Sequence, residues 1–171
     1  TGVQVGLPLV KDQRVKFVSL TGSVFTGQEI LKATADRLAK VSIEAGGKNP
    51  LVVCDDADLE KAANTAVAAA FVDAGQRCSA ASRIIIFDKV YNQFKKLFLP
   101  KVQNLKVGTS DTDDVGAIIS EKRFKEIQGA VNKAVRRRAV LLTGGFRFKD
   151  EKRKKGYFLA PTVLEKISPQ E

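Results

Sequence analysis

Three short stretches carry residues that could do chemistry. The first is Gly75-Gln76-Arg77-Cys78-Ser79-Ala80, a cysteine in a loop between a helical and an extended pattern. Small neighbours leave room for a substrate. Arg77 and nearby backbone N–H groups would favour the thiolate, which is the nucleophilic form. Taken alone, the pattern equally describes an inert buried thiol. The second is Ser42-Ile43-Glu44-Ala45-Gly46-Gly47-Lys48-Asn49-Pro50, where one carboxylate ends an extended run and meets two glycines. A partly desolvated carboxylate is a candidate base; alone, this one reads more simply as a solvated turn residue. The third is Thr21-Gly22-Ser23-Val24-Phe25-Thr26-Gly27 at a strand-to-helix turn. The first N–H groups of a helix favour a phosphate, but the pattern is not GxGxxG and by itself describes an ordinary turn.

Composition narrows the chemistry. The 171 residues include no histidine. A Ser-His-Asp triad, a Cys-His pair and a histidine metal site are therefore excluded within the chain. Two cysteines cannot make a structural zinc site, and no metal is expected. Acid–base work must fall to carboxylates, Lys, Tyr or Cys. A Cys nucleophile with a Glu base is the natural covalent pairing that remains. Cys54 ends an apolar run and is expected in the core. Two cysteines form no disulfide framework, and a reducing, cytoplasmic setting fits.

The formal charge is +10, from 29 basic and 19 acidic residues. Between Arg136 and Lys155 there are nine basic residues against Asp150 and Glu151, so seven of the ten excess charges lie in one stretch. This reads as a local surface property. A chain-wide nucleic-acid signature would be spread differently, and no nucleic-acid partner is expected. No run of 18 apolar residues occurs, so no transmembrane helix or membrane partner is expected. No signal peptide is visible near Thr1.

The elements that must hold these sites alternate. Val15–Leu20 reads as a strand, followed by a helix capped by Ser23 and ending near Asp36 or Arg37. Residues 40–44 and Pro50–Cys54 read as strands. Leu59–Ala74 reads as a largely buried helix, closed by Gly75. Ser82–Phe87 reads as a continuous apolar strand. Tyr91, Phe94, Leu97, Phe98, Val102 and Leu105 mark an amphipathic helix, and Phe124, Ile127, Val131 and Ala134 another. Val140–Leu142 and Phe158–Leu164 read as extended, the latter interrupted by Pro161. Residues 109–114 and 147–155 are expected as exposed loops. The alternation predicts an α/β fold with a mostly parallel sheet.

Together the three stretches resemble one family. Leu20-Thr21-Gly22-Ser23 with Gly27, then Glu44-Ala45-Gly46-Gly47-Lys48-Asn49-Pro50, then Gly75-Gln76-Arg77-Cys78 stand in the order and spacing of the NAD(P)-dependent aldehyde dehydrogenases. The resemblance continues through Leu105-Lys106-Val107-Gly108, Asp114-Val115-Gly116, Leu142-Thr143-Gly144-Gly145 and Gly156-Tyr157-Phe158 with Ala160-Pro161-Thr162. It covers nearly the whole chain.

The resemblance implies an oxidoreductase using NAD or NADP on an aldehyde substrate. Cys78 would form a thiohemiacetal and then a thioester. Glu44 would activate the hydrolytic water, and the Cys78 N–H would be one oxyanion donor. Gly22, Ser23 and Gly27 would face the cofactor pyrophosphate, and Ala45 and Gly46 the nicotinamide. Lys48 and Asn49 would be structural, tying the turn between two domains. Residues 1–45 would end a Rossmann-type cofactor domain, and 46–171 would begin the α/β catalytic domain. Family members are longer, and their Glu-x-Phe-Gly-Pro segment is not reached at Pro169-Gln170-Glu171. The chain is thus expected to be a central part of a homo-oligomeric (dimeric or tetrameric) enzyme, weak or inactive alone. Ala45, Ala117, Arg123 and Arg136-Arg137-Arg138 depart from common family residues. Two other readings are an acylating or acyl-phosphate-reducing relative, which needs no hydrolytic base, and a basic non-catalytic binding module.

Overall fold

The computed structural model describes residues 2–168; Thr1 and the Pro169–Glu171 end lie outside. The chain divides into two compact units, one up to Gly47 and one from Lys48 onward.

The first unit is built on two parallel strands, β1 (Phe17–Gly22) and β2 (Lys40–Ala45). They run in register from Phe17 opposite Lys40 to Gly22 opposite Ala45. The crossover helix is α2 (Val24–Thr34). Ser23 caps it, its Oγ accepting from the Thr26 N–H at 3.0 Å, because an N-cap hydroxyl satisfies a donor the helix cannot. Gly27, Ile30 and Thr34 are its buried face, and the Thr34 hydroxyl donates to the Ile30 carbonyl oxygen at 2.8 Å. A 3-10 turn, Ala35–Arg37, and a left-handed Leu38 then return the chain to β2. Arg37 gathers three segments: its guanidinium donates to the carbonyl oxygens of Val10, Val15 and Ala33. A short helix, α1 (Leu7–Lys11), preceded by a π turn at Gly2–Gly6, was not legible in the sequence. Five residues carry too little periodicity to signal a helix.

The second unit begins with parallel strands β3 (Asn49–Val53) and β4 (Ala81–Ile86). Helices α3 (Leu59–Phe71) and α4 (Asp88–Gln103) accompany them. Their core joins Val53, Ala63, Ala66, Val90, Phe94, Phe98 and Val102. Ala63 and Ala66 are small enough for α4 to approach, and Phe94 stacks on Phe98 at 5.4 Å between centroids. Beyond α4 come α5 (Glu121–Arg136), capped by Ser120, and an antiparallel pair, β5 (Val140–Thr143) with β6 (Val163–Glu165). Val107, Val115 and Phe158 form a second buried cluster. Among the described residues, two of the three strand pairs are parallel, as the alternation predicts.

Three expectations are corrected. The α3 helix stops at Phe71, not Ala74, because Val72 leaves the helical region with ψ 139° and Asp73 and Ala74 then take left-handed angles. Only Ala63 and Ala66 of α3 are buried; its polar side faces solvent, so it is not largely buried. Residues 147–155 are not simply an exposed loop: Arg153 stacks on the Phe148 ring at 3.6 Å, and Arg147 lies over Phe124 and Tyr157. Among the described residues no helix is long and apolar enough to cross a membrane.

Candidate active site

Cys78 is exposed and free, in the turn that leads into β4. The path to it is unusual. Asp73, Ala74 and Gly75 have φ of 54°, 55° and 68° in succession. Left-handed angles cost a non-glycine residue about 1 kcal/mol or more, and such strain persists only where neighbours hold it. At Gly75 a side chain is excluded, since a Cβ would sit 2.8 Å from the Ala70 carbonyl oxygen. Gly75 therefore lies against the last turn of α3 while the chain turns toward the cysteine.

Two carboxamides hold this turn. Asn49, at the start of β3, donates from Nδ2 to the carbonyl oxygens of Cys78 (2.5 Å) and Ala80 (3.2 Å). Gln76 donates from Nε2 to the Ala117 carbonyl oxygen at 3.1 Å and accepts at Oε1 from the Ile119 N–H at 2.9 Å. Arg77 pairs with Asp73 at 3.6 Å, a solvated contact of small energetic weight. Arg83 donates to the Lys48 carbonyl oxygen, which steadies the residue before Asn49. Cys54 is half-buried just after β3 rather than deep in the core.

In the first unit, Gly22, Ser23 and Gly27 gather at the β1–α2 turn. Gly22 is exposed, and its partner across the sheet is Ala45. The Ser23 Oγ and the Gly27 N–H are both engaged within the helix start, the latter bonding to the Ser23 carbonyl oxygen at 3.0 Å. Gly27 is buried because a Cβ there would lie 3.1 Å from Ile43. Its absent side chain lets α2 rest on β2. The N–H groups of Val24 and Phe25 lead the helix and have no intrahelical acceptor, so they are the donors that suit an anion. Glu44 is exposed at the end of β2, opposite Thr21 on the sheet face away from Ile43. Gly46 is also exposed, with nothing within 4 Å of a Cβ placed on it.

Sequence reasoning left Gln76 without a role and assigned Asn49 to the turn it occupies. Both act on distant backbone. The only local signal is a carboxamide beside a glycine-rich turn.

Comparison with known proteins agrees along the whole chain. The aldehyde dehydrogenase family model matches residues 1–171. The chain is 36% identical over 168 residues to the 3,6-anhydro-alpha-L-galactose dehydrogenase of Vibrio sp. (strain EJY3), covering 97% of this chain and 35% of that protein. It is 35% identical over 171 residues to the alpha-ketoglutaric semialdehyde dehydrogenase of Bacillus subtilis (strain 168), covering 99% of this chain and 35% of that one. Among solved structures, 3,6-anhydro-L-galactose dehydrogenase in complex with NAP superposes with a TM-score of 0.94 at 35% identity, over 98% of this chain and 36% of that one. Betaine aldehyde dehydrogenase of Staphylococcus aureus in complex with NAD+ does so at 0.92 and 32% identity, over 98% and 34%. The chain spans about a third of the length of these relatives. With sequence and fold matched from end to end, the chain belongs to the aldehyde dehydrogenase family.

Proposed function

We propose that the protein carrying this chain oxidises an aldehyde to a carboxylic acid with NAD or NADP, using Cys78 as nucleophile and Glu44 as the base for hydrolysis. The observation that carries this reading is an exposed thiol on a turn held by Asn49 and Gln76. A fixed, accessible nucleophile turns a bimolecular encounter into an oriented one. The Cys78 thiolate adds to the aldehyde carbon and forms a C–S bond, and the developing oxyanion is stabilised by the Cys78 N–H. When bound, the nicotinamide supplies the two-electron acceptor that turns this adduct into a thioester. Glu44 then takes a proton from water, the water oxygen attacks the thioester carbon, and the C–S bond breaks. The acid and the Cys78 thiolate are released.

Gly22, Ser23 and the leading α2 N–H groups suit a pyrophosphate, and Ala45 and Gly46 would face the nicotinamide. Gly27 contributes by letting α2 lie close to β2. In this reading residues 1–45 end the cofactor domain and 46–171 begin the catalytic domain. The whole enzyme is a cytoplasmic homo-oligomer, and the 171 residues alone turn over weakly or not at all.

The test uses the whole protein that carries this segment. Cys78→Ala should cut aldehyde-dependent NAD(P)H formation at least about 1,000-fold, while Cys54→Ala keeps most of it. Glu44→Gln should give one burst of NAD(P)H per site and then little turnover. Steady turnover in Glu44→Gln would instead favour an acylating relative, in which another acceptor takes the acyl group.

A further inference from the structure

We infer that Gln76 is a positioning residue for Cys78: its side-chain amide fastens the strained cysteine turn to the 117–119 segment and so sets where the thiol and the Cys78 N–H point. The inference rests on the reading of Cys78 as nucleophile. Three consecutive residues, Asp73 to Gly75, hold left-handed angles immediately before Gln76. Aspartate tolerates this region, but nothing in the local sequence favours it for Ala74, so contacts from elsewhere help to hold it.

The Gln76 carboxamide supplies those contacts on both of its ends. Its Nε2 donates forward to the Ala117 carbonyl oxygen and more weakly back to the Asp73 carbonyl oxygen at 3.3 Å. Its Oε1 accepts from the Ile119 N–H. The Gln76 backbone N–H also donates to the Asp73 carbonyl oxygen at 3.0 Å. The anchor is itself fixed: Ile118 is 5% exposed, and its N–H donates to the Tyr157 carbonyl oxygen at 3.0 Å. On the other side of the turn, Asn49 holds the Cys78 and Ala80 carbonyls. Cys78 thus lies between two side-chain clamps. Gln76 makes no contact with the thiol among the described interactions, so its effect is on geometry. A misplacement of about 1 Å at a reacting group can cost about 100-fold in rate.

The chemistry of the amide gives a discriminating pair of variants. Gln76→Ala removes every side-chain bond. Gln76→Glu keeps an acceptor for the Ile119 N–H but turns a carboxylate oxygen toward the Ala117 and Asp73 carbonyls. In the whole protein, both variants should lower kcat about 100-fold while KM for the dinucleotide stays within about twofold. Amide hydrogen exchange should quicken at residues 77–80 and 117–119 and stay unchanged elsewhere. A kcat within about threefold of the parent overturns the inference. So does exchange that rises throughout the second unit, or failure of both variants to fold, since either marks a general structural role. If the parent protein oxidises no aldehyde, the functional reading falls. The exchange pattern then still decides whether Gln76 holds the turn, and unchanged exchange at 77–80 overturns that as well.

Discussion

Asn49 and Cys78 are 29 residues apart, yet the Asn49 side chain donates directly to the Cys78 carbonyl oxygen at 2.5 Å. The same nitrogen reaches the Ala80 carbonyl oxygen at 3.2 Å. The first residue of β3 therefore holds the turn that leads into β4. Asn49→Ala should destabilise the second unit by about 1–2 kcal/mol, read as a lower urea midpoint at unchanged slope. Asn49→Asp should cost more, because a carboxylate facing two carbonyl oxygens repels rather than bonds. Equal stability of all three proteins would show that these bonds hold nothing.

The two thiols differ in access. Cys78 is exposed and Cys54 only half so. With iodoacetamide and peptide mapping on the native 171-residue chain, Cys78 should be alkylated first and Cys54 later. Matched or reversed rates would count against Cys78 as the reactive thiol.

The basic stretch divides into two kinds of residue. Arg147 donates to the Gly156 carbonyl oxygen at 3.0 Å and lies over the Phe124 and Tyr157 rings. Arg153 pairs with Asp150, donates to the Val107 carbonyl oxygen and covers Phe148. Replacing either by Ala removes packing as well as charge and should cost about 1–2 kcal/mol. Lys149 and Lys155 are exposed, and their change to Gln should shift stability by less than about 0.5 kcal/mol. Thermal denaturation of the four variants checks the contrast. A uniform small effect would mean that the whole stretch is solvated charge.

The pH response should involve Glu165 and Tyr91. A hydrogen bond from Lys95 holds the Glu165 carboxyl below its ordinary value, burial opposing, with Tyr91 helping to lower it. A group ionised more readily when folded stabilises fully above its unfolded value, 4.5 here, and loses that contribution as pH falls through the lower folded value. Burial pushes the Tyr91 hydroxyl up to about 12, with Glu165 adding to the shift. Its stabilisation is complete below its ordinary value of 10 and is lost as pH rises toward 12. Glu165→Gln should therefore lower stability at pH 7 by about 1 kcal/mol, with the gap to the parent closing below pH 4.5. Urea melts at pH 3, 5, 7 and 9 check it, and a gap that is constant with pH would contradict the ion pair.

Much of this was readable along the chain. Ser23 announces α2 because capping is local: the hydroxyl reaches an N–H three residues on. Phe94, Phe98 and Val102 recur at helical spacing and do line the α4 core face. Cys78 and Glu44 stand out because few residue types can do covalent chemistry without histidine. The end of α3 was not readable. Ala74 is a good helix former, yet it sits at φ 55° because the turn is held from outside the helix.

By itself the sequence determined the alternation of strands and helices and the Ser23 cap, and it singled out Cys78 and Glu44 as candidates, since these depend on periodicity and residue type over a few positions. Only the tertiary structure decided what holds the Cys78 turn in place. Gln76 finds its partners 41 and 43 residues later, and Asn49 finds its partners 29 and 31 residues later. Arg153, one of nine basic residues in the run, settles on Phe148 and on a carbonyl 46 residues earlier. Hydrogen bonds of this kind form between groups made neighbours by folding, and no local pattern of residues records which carbonyl will be within reach.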